Sequence, residues 1–411
     1  MQANVDVVII GAGITGLCTA LQLQRRSGLS IVVYDKGRGP GEGSTGASSA
    51  ICRHLYTYDE LIRLAKYGSD RYSNWPDFLR HPRVHASFQG SGVLWLGQDR
   101  HTHEPAAARL ARFGIPARLM DDDEVATRFA INPCRLSPDF ATGADHDCER
   151  DAMHLFEESG GAMAPQDTLV DLIAALTEVD VKVRFNHVVE EILHTDAGVT
   201  GVRLRNGDSI SSPVVVNASG PWSSGLLAQV GLEQAWPLQP VRIQVVYLDT
   251  PEEIAAGLPV CADPVSGIYF RSQNRGQQLI VGSTRFEDDQ EAVAQPDEFD
   301  RFPDDAFKVR VLHALHHRLP RLGYHGRVNG YCGLYTLNQQ DMHPIVGETP
   351  LQGLYTACGF SGHGFKLAPA IGAILARQIS GVRVADDPLV DDAFLGFGRK
   401  PLGLASRSVL A

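Results

Sequence analysis

The sequence predicts an α/β fold in which a Rossmann-like domain is interrupted by a second domain rich in β-strands. Three observations support this prediction. The chain opens on a strand, a glycine turn, a helix and a second strand, it repeats a strand, glycine turn and helix near its C-terminal end, and alternating β-patterns lie between the two. At 411 residues the chain is also longer than one hydrophobic core usually supports.

The N-terminal unit begins with a short apolar run, Val5–Ile10, typical of a parallel strand covered on both faces. The run leads into the glycine motif GAGITG (11–16) and then into a helical pattern. Gly11 permits the tight turn, Gly13 allows a pyrophosphate to approach the backbone, and Gly16 allows helix and strand to pack closely. The start of the helix would then carry the phosphates.

The second strand, Ile31–Tyr34, ends in Asp35. A carboxylate at this position accepts hydrogen bonds from ribose hydroxyls and disfavours a 2′-phosphate, so FAD or NAD is predicted and NADP is not. A glycine turn without a ligand is the alternative interpretation. It is the weaker one here, because strand, helix, second strand and acidic terminus are all in register.

Composition excludes several classes of partner. The net charge of −11 argues against nucleic acid or an anionic membrane surface as the main partner. The seven cysteines include no CxxC pair, which predicts reduced thiols in the cytoplasm, no disulfide framework and no structural zinc site. No run approaches the roughly 20 apolar residues that a membrane span needs.

A loop rich in glycine and serine, residues 37–50, follows the second strand. It is too rich in Gly, Ser and Pro for regular structure. Directly after a nucleotide-binding strand, its N–H and hydroxyl groups can line a pyrophosphate and a flat ring system. A solvated linker is the alternative interpretation.

The central part of the chain alternates between helical and β patterns. The acidic run Asp121–Asp123 resembles a metal cluster, but three consecutive side chains point in different directions, so a helix cap is the favoured interpretation. The predicted helices are 59–79, two pieces within 104–130, 168–176 and 304–319. The predicted β segments are a hairpin over 82–97, strands 181–185 and 188–193, a hairpin turning at Asn206-Gly207, strand 214–217, and 238–248 and 266–284.

The C-terminal region repeats the design of the N-terminus. A strand at 353–358 is followed by the turn GFSGHGFK (359–366) and a helix from about Pro369 to Gln378. The positive end of this helix could face the electron-rich end of a reduced isoalloxazine. This second turn favours FAD over NAD.

On these motifs the chain resembles the D-amino-acid oxidase (DAO) superfamily of FAD enzymes. Within it, the chain is most similar to the branch that contains monomeric sarcosine oxidase, glycine oxidase and the sarcosine oxidase β-subunits. The resemblance covers nearly the whole chain and is strongest at residues 11–16, 43–54, 217–222 and 359–366.

The resemblance implies a Rossmann-like, DAO-type FAD-binding domain with an inserted β-sheet-rich α+β substrate domain. The FAD-binding domain is therefore expected to be discontinuous. The predicted ranges are 1–82, 141–235 and 331–385 for the FAD-binding domain, 83–140 and 236–330 for the substrate domain, and 386–411 for a C-terminal tail.

The resemblance also implies which residues bind FAD. The ADP half would be held by Gly11, Gly13, Ile14, Thr15, Gly16, Asp35 and Lys36. The pyrophosphate and flavin would be lined by Ser44, Thr45, Ser49, Ala50 and Ile51. Val188 would contact the adenine through its backbone, and Ala218, Gly220 and Trp222 would flank the nucleotide. The pyrimidine edge of the flavin would be covered by Gly362, His363, Gly364, Phe365 and Lys366, with Gly333 also at the cofactor.

Four residues match catalytic positions of the family: Arg53, Lys366, Tyr335 and, more loosely, Tyr269. Arg53 and Lys366 match the cations that hold the substrate carboxylate in sarcosine oxidases. Such a pair suits a carboxylate, because Arg forms two parallel hydrogen bonds to it and Lys adds a second positive charge. A carboxylate fixed in this way orients the substrate towards flavin N5. A surface ion pair for Arg53 and a helix-capping role for Lys366 are the alternatives. No metal site is predicted.

Two departures from the family bear on the cofactor. Gly333 stands where monomeric sarcosine oxidases carry the cysteine attached to flavin, Cys332 lies one residue early, and residues 43–49 contain no histidine. Noncovalent FAD is therefore predicted. The lysine with which that family activates oxygen falls near Ile280. Oxygen and an electron-transfer acceptor thus both stay open as the oxidant.

The function predicted from these residues is oxidation of the C–N bond of a small amino acid or N-alkyl amino acid by hydride transfer to flavin N5, giving an imine that hydrolyses. Three alternatives stay open: a 2-hydroxy-acid dehydrogenase, a β-type subunit of a hetero-oligomeric amine dehydrogenase, and a non-catalytic FAD-binding protein. Partners are expected to be a small substrate and an electron acceptor. Either a homo-oligomer or a subunit of a hetero-oligomer is compatible with the sequence.

Overall fold

The structure, a computed structural model, describes residues 3–250, 254, 257–323 and 327–403. Within these ranges the α-helices are α1 (Ile14–Gln24), α2 (Asp59–Ser73), α3 (Trp75–Leu79), α4 (Glu104–Arg112), α5 (Asp122–Phe129), α6 (Pro165–Glu178), α7 (Ser223–Ala228), α8 (Asp305–Arg318) and α9 (Gly364–Ser380). The strands are β1 (Ala3–Asn4), β2 (Val7–Ile10), β3 (Ile31–Tyr34), β4 (Ile51–Cys52), β5 (Val93–Trp95), β6 (Ala117–Asp121), β7 (Met153–Glu157), β8 (Gly161–Ala162), β9 (Lys182–Arg184), β10 (Val189–Thr195), β11 (Gly198–Leu204), β12 (Ser209–Ser211), β13 (Val214–Asn217), β14 (Leu238–Asp249), β15 (Val260–Asp263), β16 (Ile268–Gln273), β17 (Gln278–Ser283), β18 (Asn329–Asn338), β19 (Ile345–Glu348) and β20 (Leu354–Cys358).

A six-stranded sheet forms the first half of the fold, in the order β19-β20-β13-β2-β3-β9. Its neighbouring strands are parallel except for β19 with β20. The carboxyl ends of β2 and β20 therefore lie at the same edge, and each leads through a glycine turn into a helix, α1 and α9. This edge is where open α/β sheets bind their ligands.

Both faces of this sheet are buried, as the apolar run at the start of the sequence predicts. Along β2, Val7 and Ile9 pack into the core that α1 and α9 share, while Val8 and Ile10 pack into a second core. The second core is closed by a four-stranded sheet of order β1-β12-β11-β10. Alternate side chains of one strand thus hold two layers together.

The second half of the fold is an eight-stranded, mostly antiparallel sheet of order β18-β14-β17-β16-β15-β5-β7-β6. Helix α8 packs its apolar side, including Val311 and Leu315, against Phe270 and Val281 of this sheet. The strands come from several separate stretches of the chain. The predicted fold class, a Rossmann-like domain with an inserted β-rich domain, is confirmed.

The predicted domain limits stay a prediction, although sheet membership differs from them at two strands. Strand β7 and most of β18 fall inside ranges assigned to the FAD-binding domain, yet both belong to the eight-stranded sheet. Of the predicted tail, residues 404–411 lie outside the described residues. None of the helices in the described ranges combines the length and hydrophobicity that crossing a bilayer requires.

Three predicted elements differ from those observed. The helix over 59–79 is two helices, broken at Asn74, because Pro76 has no N–H to donate to the Tyr72 carbonyl and is accommodated only in the first turn of a new helix. The hairpin over 82–97 does not form, since Val93–Trp95 pairs instead with the distant strands β7 and β15. Helix α9 begins at Gly364, well before the predicted Pro369.

Candidate active site

A cleft of about 480 Å³ lies at the carboxyl edge of the six-stranded sheet. Residues from both ends of the sequence and from its middle line it. From the predicted cofactor-binding and catalytic sets these are Gly11, Gly13, Ile14, Thr15, Asp35, Lys36, Ser44, Thr45, Val188, Ala218, Gly220, Trp222, Tyr335, Gly362, Gly364 and Phe365. The structure thus brings together residues that are more than 300 positions apart in sequence.

The glycines at the start of α1 have no room for side chains. A Cβ atom on Gly11 would lie 2.4 Å from the carbonyl oxygen of Ala218, and one on Gly16 would lie 2.0 Å from that of Gly11. Gly11 also has a φ of +108°, a conformation that L side chains rarely adopt. Gly16 does not line the cleft, because it packs the helix against the turn, as predicted. Gly13 leaves open space in front of the backbone, with Thr45 Oγ1 as the one atom a Cβ there would meet.

Asp35 and Lys36 lie side by side at one wall of the cleft. The carboxylate of Asp35 accepts hydrogen bonds from the backbone N–H of Ala12 at 2.7 Å and of Gly37 at 2.6 Å, which fixes its position at the glycine turn. The ammonium of Lys36 lies over the ring of Trp222, 4.2 Å from its centroid, and pairs with Asp297. Asp297 also lines the cleft, and no sequence pattern had indicated it.

Two helices present N-termini to the cleft without a side-chain hydrogen bond from their own N-cap residue. Neither α1 nor α9 has an acidic residue in its first turn, whereas every other described helix of eight residues or more does. Acidic side chains normally stabilise a helix start by neutralising the helix dipole. Their absence at these two ends leaves positive potential directed into the cleft, where an anionic ligand would replace them.

A second group of predicted residues does not line the cleft. Ser49 and Ala50 precede strand β4, which begins at Ile51. The Ser49 hydroxyl and the Tyr269 hydroxyl are 2.7 Å apart, and the buried Arg271 donates to the Ser49 carbonyl at 2.7 Å. Burial raises the pKa of Tyr269 and lowers that of Arg271 to about 10.

Two buried cations, Arg53 and Lys366, belong to this second group. Arg53 is 3% exposed and Lys366 is 6% exposed. Arg53 stacks over the ring of Tyr56 at 4.2 Å and donates to the Leu55 carbonyl. Lys366 follows the cleft residues Gly364 and Phe365, and its closest described acceptor is the Gly362 carbonyl at 3.4 Å. Burial, followed by repulsion from Arg53, lowers the pKa of Lys366 to about 7.

A fully buried carboxylate, Glu157, holds the segment that carries Arg53. It accepts hydrogen bonds from the backbone N–H groups of His54 and Leu55 at 2.6 and 3.2 Å and from Trp95 Nε1 at 2.7 Å. Burial works against its ionised form, but these bonds and the His54 ring keep its pKa below the ordinary value. Sequence reasoning missed Glu157, because it lies on a distant strand and no motif surrounds it.

Three further predicted residues are Gly333, His363 and Tyr335. A Cβ atom on Gly333 would lie 2.5 Å from the Cβ of Ala47, so the loop 37–50 passes directly over β18. The buried ring of His363 packs edge-on against Tyr56 at 5.3 Å. Tyr335 lines the cleft, and its pKa is raised by burial.

The sequence profile of a family described as FAD dependent oxidoreductase, designated DAO, matches residues 6–378. The chain belongs to this family of FAD-dependent oxidoreductases. The match spans both helix starts, the loop 37–50 and all of the residues that line the cleft. The sequence-based resemblance and the prediction of an FAD-dependent enzyme are thereby confirmed.

Curated relatives of this FAD-dependent oxidoreductase cover most of the chain at modest identity. FAD-dependent oxidoreductase domain-containing protein 1 of Xenopus laevis is 25% identical, over 91% of this chain and 79% of the relative. Glycine oxidase of Pseudomonas putida is 26% identical, over 94% of this chain and 97% of the relative. Human peroxisomal sarcosine oxidase is 26% identical, over 90% of both chains.

Solved structures show the same fold. L-proline dehydrogenase from P. horikoshii has a TM-score of 0.79 with 22% identity, covering 94% of this chain and 98% of that one. Glycine oxidase from Geobacillus kaustophilus has a TM-score of 0.77 with 20% identity, covering 98% of this chain and all of the other. At these identities the structures establish the architecture.

The residues of the cleft fit FAD. The hydroxyl oxygen of Ser44 and the Nε1 atom of Trp222 are buried and have no hydrogen-bond partner among the described residues. Buried polar atoms without partners are costly, so a polar ligand belongs against them. Both residues line the cleft between the two helix starts, where the phosphates and ribose of FAD would supply acceptors.

On β18, Gly333 rather than Cys332 faces the loop 37–50. Successive side chains of a strand point to opposite faces, so Cys332 points away from the side on which Gly333 meets Ala47. Cys332 is buried near Arg242 and is not among the residues that line the cleft.

Proposed function

We propose that this FAD-dependent oxidoreductase oxidises the C–N bond of a small amino acid or N-alkyl amino acid, with Arg53 and Lys366 binding the substrate carboxylate. Bound FAD would supply the hydride acceptor, and the chain would bind and orient the substrate. The substrate carbon would lose a hydride, and the imine so formed would be hydrolysed to an oxo acid or aldehyde and an amine. Glycine oxidase and sarcosine oxidase among the relatives agree with this substrate class.

The observation that carries the proposal is the burial of two cations close enough to repel each other. The pKa of Lys366 is lowered to about 7 by burial and by Arg53. The nearby carboxylate of Glu157, held by His54, Leu55 and Trp95, partly offsets this lowering. A substrate carboxylate placed at Arg53 and Lys366 would add a second negative charge and favour the charged form of the lysine.

A fixed carboxylate also gives the substrate its orientation. Lys366 lies in the first turn of α9, next to Gly364 and Phe365, which line the FAD cleft. The neighbouring Tyr335 and Tyr269 are buried phenols with raised pKa values, so they stay protonated and act as hydrogen-bond donors. We propose that Tyr335, at the cleft wall, contacts the substrate and that Tyr269 fixes Ser49 beside it.

The test is an anaerobic substrate screen. Loss of the oxidised flavin absorbance is followed with amino acids, N-methyl amino acids and 2-hydroxy acids in the wild type, Lys366→Met and Lys308→Met. Lys308 is the matched control, because it lies on the surface of α8 paired with Asp305. We expect reduction by at least one amine substrate, a large rise in KM for Lys366→Met and no change for Lys308→Met.

Other outcomes separate the alternatives. Reduction by 2-hydroxy acids but by no amine would identify the hydroxy-acid dehydrogenase. Activity that appears only with copurifying chains would identify a subunit of a hetero-oligomer. FAD binding without reduction by any compound would identify a non-catalytic protein. We propose noncovalent FAD, so acid denaturation should release all of the flavin, and comparison of oxygen with artificial acceptors decides the oxidant.

A further inference from the structure

Four side chains with metal-ligating atoms meet outside the cleft: Cys134, His146, Cys148 and His317. Their ligand atoms all lie within 4.8 Å of one another, and none of the four residues lines the cleft. Three come from the irregular segment 130–152, and the fourth lies in the last turn of α8. The sequence gives no signal for this grouping, because its cysteines lack the CxxC spacing and His317 is far along the chain.

The distances are close to those of a tetrahedral site. The Nε2 atom of His146 lies 3.4 Å from the sulfur of Cys134 and 4.0 Å from that of Cys148. With Zn–S bonds of about 2.3 Å and Zn–N bonds of about 2.0 Å, neighbouring ligand atoms are separated by roughly 3.3–3.8 Å. Shifts of about 1 Å or less in these side chains would therefore close the set around an ion.

His317 supplies independent support. Its Nε2 atom is buried and has no hydrogen-bond partner among the described residues, an arrangement that costs free energy unless a ligand is present. Two sulfurs with two imidazoles select zinc over calcium or magnesium.

The surroundings hold these ligands in position. The side-chain amide of Asn132 donates to the sulfur of Cys148 at 3.5 Å and to the carbonyl of His317 at 3.1 Å. Arg318, ion-paired with Asp263 at 2.6 Å, donates to the carbonyls of Asn132 and Cys134. Partners of this kind orient ligands and tune their affinity in known metal sites.

We propose that Cys134, His146, Cys148 and His317 bind a structural Zn²⁺ ion that fixes segment 130–152 against helix α8. The segment lacks helix and strand throughout, which is unusual for its length inside a compact fold. Binding converts two thiols to thiolates and releases two protons, so the occupied site carries no net charge. Four protein ligands leave no position for substrate, so the ion has a structural role.

The experiment uses the full-length holoprotein, produced without a histidine tag in medium containing zinc. Metal content per chain is measured by mass spectrometry for the wild type, Cys148→Ser, His317→Ala and His316→Ala. We expect about one zinc per chain in the wild type and in His316→Ala, and loss of most of it in the other two. His316 is the matched control, because it neighbours His317 on the same helix and is not one of the four ligands. Cys148 is exposed, so its replacement spares the core, and retained FAD shows that each variant is folded.

Cobalt substitution gives a second measurement. Tetrahedral Co²⁺ on thiolates absorbs at wavelengths beyond the oxidised flavin bands, and we expect this signal in the wild type and its loss in Cys148→Ser. Isolated protein with no metal and four unmodified ligands would overturn the proposal. So would a disulfide between Cys134 and Cys148, found by mass spectrometry of unreduced peptides, or zinc that persists in both variants.

Discussion

At the scale of single residues, Lys366 is an ionisable group that the fold buries beside a second cation. An amino group that ordinarily titrates near 10.5 has a pKa of about 7 here, because the fold buries it beside Arg53. Such a placement destabilises the folded protein, and strongly perturbed groups of this kind cluster at functional sites. Sequence resemblance identified both cations, whereas their mutual repulsion and the supporting carboxylate of Glu157 became visible only in the structure.

Binding of a carboxylate that carries no amine should weaken as the pH rises above 7. Lys366 loses its proton near this pH, so Kd should be constant below it and rise above it by up to about tenfold per pH unit. The measurement is titration of the flavin spectrum with a simple carboxylate from about pH 6 to about pH 9. In Lys366→Arg, whose guanidinium stays charged, the rise should disappear. A Kd independent of pH in the wild type would contradict the assignment of Lys366.

Replacing Lys366 by Met should stabilise the protein at neutral pH. An unfolded lysine keeps its proton up to about pH 10.4, while Lys366 loses it near 7. The unfolded chain therefore binds more protons between these values, and the unfolding free energy should rise with pH in that window. Thermal unfolding should show this rise in the wild type and in Lys308→Met and its absence in Lys366→Met. A lower Tm for Lys366→Met than for the wild type at pH 7 would contradict the prediction that burial of the Lys366 ammonium destabilises the folded protein.

At the scale of elements, helix α9 begins earlier than its sequence indicates. Pro369 has no N–H, so the Phe365 carbonyl cannot receive the usual helical hydrogen bond from it. The hydroxyl of Tyr72 on α2 donates to that carbonyl instead, at 2.6 Å. Helix α2 can approach this closely because Gly68 has no side chain. A Cβ atom at this position would lie only 1.9 Å from the Lys366 carbonyl oxygen. A partner helix thus completes the turn that carries Lys366.

Tyr72→Phe should lower the unfolding free energy by about 1–3 kcal/mol, the cost of leaving a buried carbonyl without a donor. Tyr58→Phe is the matched control, because the Tyr58 hydroxyl donates to the Gly403 carbonyl at an exposed site. Chemical denaturation of both variants with FAD bound measures the difference. Equal losses in the two variants would show that Tyr72 does not support α9.

The contact between loop 37–50 and strand β18 should respond to a paired substitution. Gly333→Ala places a Cβ 2.5 Å from that of Ala47, so it should displace the loop and weaken FAD binding. Ala47→Gly in the same chain should restore affinity, whereas Gly28→Ala, which meets nothing within 4 Å, should leave it unchanged. FAD affinity is measured by fluorescence titration of the apoprotein. Additive effects of the two substitutions would rule out the contact as the cause.

At the scale of the whole molecule, the cleft joins segments from the two ends and the middle of the chain. Loop 37–50, the turn after β13 and the start of α9 all line it. A ligand that binds all of these segments in the folded state and none in the unfolded state must raise global stability. FAD is thus expected to act as part of the core that joins the two halves of the fold.

Removal of FAD should lower Tm by several degrees. At a free FAD concentration of about 100 times Kd, the expected stabilisation is about 2.7 kcal/mol. NAD at the same concentration should have little effect. In Gly13→Val the added side chain would occupy the part of the cleft next to Thr45, where we expect the pyrophosphate to bind. The substitution causes no backbone strain, because the φ of Gly13 is −72°. Differential scanning calorimetry should therefore show no FAD-dependent shift for this variant. A wild type whose Tm is insensitive to FAD would contradict the assigned cleft.

The sequence by itself determined the nucleotide-binding unit, the second glycine turn, the interruption by a β-rich domain and the identity of the cations. These depend on local patterns, because strand periodicity, glycine spacing and an acidic strand terminus act over a few tens of residues. Tertiary structure alone decided that Glu157 supports Arg53, that Tyr72 replaces the hydrogen bond missing at Pro369, and that Cys134, His146, Cys148 and His317 meet. Each of these depends on chain segments that are distant in sequence and brought together by packing. Glu157 and Tyr72 satisfy buried polar groups across such distances, which no local spacing encodes.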